Sequence, residues 1–226
     1  MNAAPVQDIH EAELARWLFT ERMPAALLAS ELRFAPATGL AFCVDPSHLM
    51  GDARAPGDID VLAIDHARLD QAIAIEIKRV KLPPKAYLTA QPNKLQDLEK
   101  GCRQVRLLRS MGFHRCYLVV AVVADGREQT DVGFPFRGPP PALVKVVRDK
   151  LRSLPFHPDV GVFVVEVTQP VDKDIRDSGA VGIWTHQHAQ DVEQPAALTD
   201  GLRAFLRAVP DSSPAELSRF NPPRSA

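Results

Sequence analysis

Pro56-Gly57-Asp58-Ile59-Asp60-Val61-Leu62, followed after a polar turn by Ala74-Ile75-Glu76-Ile77-Lys78, is the part of this sequence that decides its fold. Both stretches read as strands, Asp58 to Ile64 and Ala72 to Arg79, joined by a turn around Ala67 and Arg68. Side chains alternate along a strand, so Glu76 and Lys78 share one face and Ile73, Ile75 and Ile77 the other. Ala72 and Ala74 lie on the Glu76 face and leave room beside it. If the hairpin folds about Arg68, Asp60 lies opposite Glu76, and Lys78 comes one pleat further along, near Asp58.

That pairing carries an electrostatic cost. Two adjacent carboxylates repel and raise each other's pKa unless a cation compensates them. A hard divalent ion such as Mg²⁺ accepts oxygen ligands, keeps several waters and takes in a phosphate oxygen. It acidifies a coordinated water and offsets charge building on a phosphoryl group. Lys78 could hold or deprotonate the attacking water and stabilise the developing charge. Two acids and a lysine at this spacing therefore suit phosphodiester hydrolysis.

Working outward, a helical pattern covers about Gln7 to Arg22, with Ile9, Leu14, Trp17 and Leu18 on one side and Pro24 limiting it. Leu40 to Val44 reads as a first strand. After a loop bearing Pro83 and Pro84, a long helix is expected over Pro92 to Met111, striped by Leu95, Leu98, Cys102, Val105 and Leu108 and stopped by Gly112. Cys116 to Ala124 is almost wholly apolar and suits a strand covered on both faces. Gly126 to Pro141 reads as an exposed loop. A helix marked by Leu143, Val147 and Leu151, strands at Val162 to Thr168 and Ala180 to His186, and a helix over Ala196 to Ala208 follow. The order αβββαβ with a mixed C-terminal extension indicates an α/β architecture around a mixed central sheet flanked by helices. The expected division is a core over 1–124, an extension of the same domain over 125–208, and a disordered tail over 209–226.

The bulk composition sets limits. A chain of 226 residues, 46% hydrophobic and 24% charged, can bury a substantial core. A net charge of -1 argues against a protein that coats nucleic acid non-specifically, without excluding a local basic face. The opening Met1 to Glu13 lacks the apolar core of a signal peptide, and no apolar run approaches membrane-spanning length. Cys43, Cys102 and Cys116 are far apart and odd in number. They read as buried free thiols in a reducing cytosol, so a cytoplasmic location without membrane contact is expected.

The Gly-Asp-Ile-Asp strand, short hairpin and Glu-Ile-Lys run resemble the PD-(D/E)XK nuclease superfamily, which shares the restriction-endonuclease-like fold. Pro56 and Asp60 match the first half of its signature, with extra residues between them, and Glu76, Ile77 and Lys78 match the second. The resemblance spans about Gln7 to Ala124, and the flanking helices and strands come in the order it requires. It implies Asp60 and Glu76 as metal ligands, the Ile77 carbonyl as a further ligand, Lys78 as base or charge stabiliser, and Mg²⁺ as the cofactor, with Mn²⁺ able to replace it. It also implies an acid on the first helix. Glu13 fits that part best, within the apolar face between Ile9 and Trp17; Glu21 is the other candidate, and Glu11 points elsewhere. A glutamine on the helix after the motif would be Gln104.

Each feature also has a plainer reading. Alone, Glu76 and Lys78 would be a salt-bridged pair on a solvated strand face; Asp60 and the Pro-Gly entry turn that reading towards a site. Asp58 is better taken as a strand-start residue. Between Lys78 and Arg109 the only acids are Asp97 and Glu99 among many bases, so Arg103 and Arg106 are read as part of a phosphate-binding track. His186 and His188 lack a third nearby ligand and read as surface histidines. The expected activity is metal-dependent cleavage of nucleic acid, DNA before RNA. A homodimer or larger complex is compatible with it. The alternative is a nuclease-like module that binds nucleic acid or a partner protein without cutting.

Overall fold

The computed structural model describes residues 9–36, 38–50, 57–82, 86, 89, 91–125, 139, 141–169, 180–208 and 218–219. The element order is α1 (Glu11–Thr20), α2 (Arg22–Glu31), β1 (Thr38–Val44), α3 (Ser47–Met50), β2 (Ile59–Asp65), a 3-10 turn (Leu69–Gln71), β3 (Ile73–Leu82), α4 (Asp97–Ser110), β4 (Arg115–Asp125), α5 (Pro141–Arg152), β5 (Val160–Gln169), β6 (Ala180–Gln187), α6 (Ala196–Ala208) and β7 (Ser218–Arg219). The strands form one mixed sheet in the order β6-β5-β4-β3-β2-β1-β7. β3, β4 and β5 run parallel, which suits the near-continuous apolar sequence of β4 and β5, and the outer pairs are antiparallel. The expected α/β class and mixed sheet are thus present.

Helices cover both faces. Leu14, Trp17, Leu18 and Phe19 of α1 and Leu28 of α2 pack with Phe42, Val61, Ile75 and Ile77 on one side. Leu49 of α3, Leu98 and Val105 of α4, Leu143 and Val147 of α5, and Leu198 and Leu202 of α6 pack with Ala74, Leu118, Val120 and Val164 on the other. The C-terminal strands β5 and β6 extend the same sheet. Among the described residues, no helix is long and apolar enough to cross a membrane.

Three departures from expectation go beyond a few residues at an element's end. Pro24 does not end the helical region: it lies in the first turn of α2, where a missing N–H costs nothing. α4 starts at Asp97 rather than Pro92, because Asn93 exchanges backbone hydrogen bonds with Lys81 of β3 instead. Part of the expected loose tail is paired, with Arg219 opposite Gly39 and Ser218 opposite Leu40 of β1. Pro56, the Pro83-Pro84 loop, nearly all of the Gly126 to Pro141 loop and the rest of the tail lie outside the described residues.

A paired irregularity in β1 and β2 bears on the site. Phe42 and Val61 face α1, yet their second neighbours Val44 and Ile59 face the opposite core, although alternation would keep them on the same side. The residues between them are Cys43, whose φ is 53°, and Asp60. Both strands therefore twist over at the same level.

Candidate active site

β2 and β3 pair as Val61 with Ile75, Leu62 with Ala74 and Ala63 with Ile73, the register that sets Asp60 against Glu76. The ladder stops one pair short of them. Where β2 twists away, the Asp60 carboxylate replaces the missing backbone acceptor: its Oδ2 accepts the Ile77 N–H at 2.6 Å. The strands fork at this point, and Asp60 stands in the fork.

Glu76 and Lys78 point to the α4 side of β3 and are almost fully buried, at 1% and 6% exposure. The Lys78 ammonium donates to Glu76 Oε1 at 2.5 Å and to the Ile77 carbonyl at 2.9 Å. It also lies 3.5 Å from Glu11 Oε1 of α1, on the other side of the sheet. That reach is possible because the fork leaves this edge of β3 without a paired strand. Glu11 is anchored in turn, its Oε2 accepting the Arg79 N–H at 3.0 Å.

Glu11, and not Glu13 or Glu21, is therefore the first-helix acid at the site. Glu13 is exposed and caps its own helix, accepting the His10 N–H at 3.3 Å. Glu21 is exposed and accepts the Arg22 N–H at the start of α2. The sequence carried a usable signal for Glu11. It precedes the buried Leu14, Ala15 and Leu18 by three, four and seven residues and so begins the same helical stripe.

The electrostatics follow from this burial. Burial first, opposed by the Ile77 and Lys78 contacts, raises the Asp60 carboxyl to about 6. Burial and then the nearby Asp60 raise Glu76 to about 7. Burial alone would lower Lys78, but Glu76, Glu11 and Asp60 together outweigh it and raise the ammonium above its ordinary range. Lys78 is thus held as a cation among acids.

The flanking residues divide. Gln104 of α4 is half-buried, and its Nε2 would lie 3.7 Å from a Cβ on Gly57, whose φ of 108° suits glycine; this puts Gln104 at the entry to β2. Arg103 is exposed. Arg106 donates to the Pro155 carbonyl at 2.7 Å, and Arg109 pairs with Asp159 at 2.8 Å, so both tie α4 to the segment after α5. Arg106 follows Gln104 by two residues, about 200° around the helix, and faces away from the fork. The exposed Lys100, one turn before Gln104, shares the Gln104 side. The helix is basic as expected, but Arg106 and Arg109 are engaged within the fold.

Cys102 and Cys116 are buried, and burial pushes the Cys116 thiol up to about 12; Cys43 is exposed, contrary to the expectation of three buried thiols. The Cys43 thiol is raised by partial burial and by Asp60 and Asp58, with Arg16 opposing, which sets it beside the fork. Nothing in its residue type announced this, because it depends on the twist of β1. Asp58 is exposed at the start of β2, as a strand-start residue would be. His186 packs edge-on against Phe156, with ring centroids 6.1 Å apart.

The donors at the fork are hard oxygens: the Asp60 and Glu76 carboxylates and the Ile77 carbonyl. Half-buried Asp60 and buried Glu76 are both raised by desolvation although Lys78 already lies among them, and these hard oxygen donors fit a further, divalent cation such as Mg²⁺ or Mn²⁺. With these side-chain positions, no group of three or more His, Cys, Asp or Glu among the described residues is arranged to hold a metal, so the carbonyl and water would complete any shell. Compared with known proteins, the chain matches no protein-family model and no curated protein.

Proposed function

We propose that this protein is a divalent-metal-dependent nuclease of the PD-(D/E)XK, restriction-endonuclease-like type, acting on DNA before RNA. The observation that carries the reading is the cluster at the β2–β3 fork, where Glu76 and Glu11 hold the buried Lys78 ammonium and Asp60 accepts the N–H of the intervening Ile77. Gathering three acids around one lysine costs stability, and a site for a cation and a phosphate accounts for that cost.

Asp60 and Glu76, with the Ile77 carbonyl, bind the cation. The bound cation supplies charge neutralisation at the scissile phosphate and a more acidic neighbouring water. Lys78 remains protonated, so its part is to orient that water and stabilise charge on the phosphoryl oxygens rather than to accept the proton. Glu11 holds Lys78 from the far side and keeps the ammonium at the fork. Gln104 and Lys100 border the entry, where a nucleic-acid backbone would approach.

A second reading is a module of the same shape that binds nucleic acid or a protein without cutting. It draws on the internal engagement of Arg106 and Arg109, which shortens the basic track. Incubating the purified chain with circular, linear and single-stranded DNA and with RNA separates the two. Cleavage in Mg²⁺ or Mn²⁺ that stops with chelator is expected; binding without cleavage on every substrate would leave only the second reading.

A further inference from the structure

A glycine in the interior of a helix is unfavourable, and α4 carries one, Gly101, on its buried face. Its surroundings explain it. A Cβ at Gly101 would lie 2.7 Å from Cγ of Lys78 and 2.9 Å from Cδ1 of Leu118. The Leu118 methyl ends a branched side chain and can rotate aside. The Lys78 Cγ moves only if χ1 turns, and that would carry the whole stem and pull the ammonium from Glu76, the Ile77 carbonyl and Glu11. The bare helix surface at Gly101 therefore forms one wall of the channel in which the Lys78 stem runs.

The other wall is β3 itself, and the channel ends at Glu76, the Ile77 carbonyl and Glu11. A lysine has four rotatable side-chain bonds, so charge alone would leave its ammonium several places to go. We infer that Gly101 is a positioning residue: by letting α4 lie against the Lys78 stem, it aims the ammonium across the β2–β3 fork. The part of this inference that concerns catalysis rests on the nuclease reading; the part that concerns Lys78 does not.

The test is Gly101→Ala made in two backgrounds. In the wild-type chain the new methyl displaces the Lys78 stem, so Tm falls. In a Lys78→Ala chain the closer obstacle is gone and only the buried Leu118 methyl must give way, so the same substitution lowers Tm by about 2–4 °C less than in the wild type. Such a difference between backgrounds identifies Lys78 as what the methyl chiefly meets. An equal fall in Tm in both backgrounds would overturn the inference, since the methyl would then be striking Leu118 or the helix packing in general.

The second readout is amine acylation followed by peptide mass spectrometry. Lys78 in the wild-type chain should react slowly, and Gly101→Ala should speed its labelling about tenfold by freeing the ammonium from its partners. Unchanged labelling would also overturn the inference. Where the wild type cleaves nucleic acid, Gly101→Ala should lower kcat about tenfold to a hundredfold with little change in KM, as expected for a misplaced group. A raised KM at unchanged kcat would contradict the role. A wild type that cuts nothing would sink the nuclease reading while the labelling and the Tm difference between backgrounds still decide the role of Gly101.

Discussion

Asp60 and Glu76 have pKa values raised above their ordinary values of 3.8 and 4.5, to about 6 and about 7. Both therefore hold a proton more tightly in the folded chain than in the unfolded one. Their contribution to stability is full below about pH 4 and is lost as pH rises through 6 and 7. Lys78, raised from 10.5, keeps its charge throughout that window and adds no slope there. Thermal melts of the metal-free protein should show Tm falling between pH 4 and 8. Asp60→Asn combined with Glu76→Gln should flatten that fall, and an equally steep fall in the double variant would mean that other groups cause it. At this scale the sequence was legible where strand alternation applied: Glu76 and Lys78 share one face of β3, while Asp60 reaches the same cluster through the twist of β2 rather than through a paired register. It misled for the first-helix acid, because a stripe read from Ile9 through Trp17 admits Glu13. The buried set Leu14, Ala15 and Leu18 selects Glu11 instead.

Among the elements, the decisive feature is the paired twist of β1 and β2 at Cys43 and Asp60. Cys43 adopts a φ of 53°, a left-handed conformation that costs a residue with a Cβ about 1 kcal/mol or more. Cys43→Gly should raise the denaturation midpoint or leave it nearly unchanged, and Cys43→Val should lower stability by over about 1 kcal/mol. A valine as stable as the wild type would show that the twist is not held at Cys43. No sequence pattern announced this twist, since both strands alternate acceptably on either side of it. The basic helix α4 was legible in its charges but not in their partners, because Pro155 and Asp159 lie some fifty residues away. Charge reversal at Lys100 and Arg103 should weaken nucleic-acid binding and reduce the salt slope by about one for each phosphate that is no longer neutralised. Reversal at Arg106 should lower Tm with less effect on the slope. Filter binding or fluorescence anisotropy across a salt series, with melts of each variant, checks both; the opposite ranking would move the substrate path to the other flank of α4.

For the molecule as a whole, the order of helices and strands was readable because each strand is either alternating or continuously apolar, and each long helix carries one stripe. Missed were α2, hidden behind Pro24, and the pairing of Ser218–Arg219 with β1, which no local pattern marks. The mixed sheet puts β3 at the junction between its antiparallel half, β1 and β2, and its parallel half, β4 and β5. The fork opens at that junction, where β2 leaves β3 and β4 continues beside it. The central proposal is chemical: the acids at the fork bind a cation that serves phosphodiester cleavage. Plasmid nicking by the wild type and by Glu76→Gln, in Mg²⁺ and in chelator, tests it most directly. Expected are Mg²⁺-dependent conversion of supercoiled DNA by the wild type and a loss of at least about a hundredfold in the variant, as for removal of a metal-holding group. Nicking at equal rates by both proteins, or by the wild type in chelator, would contradict it.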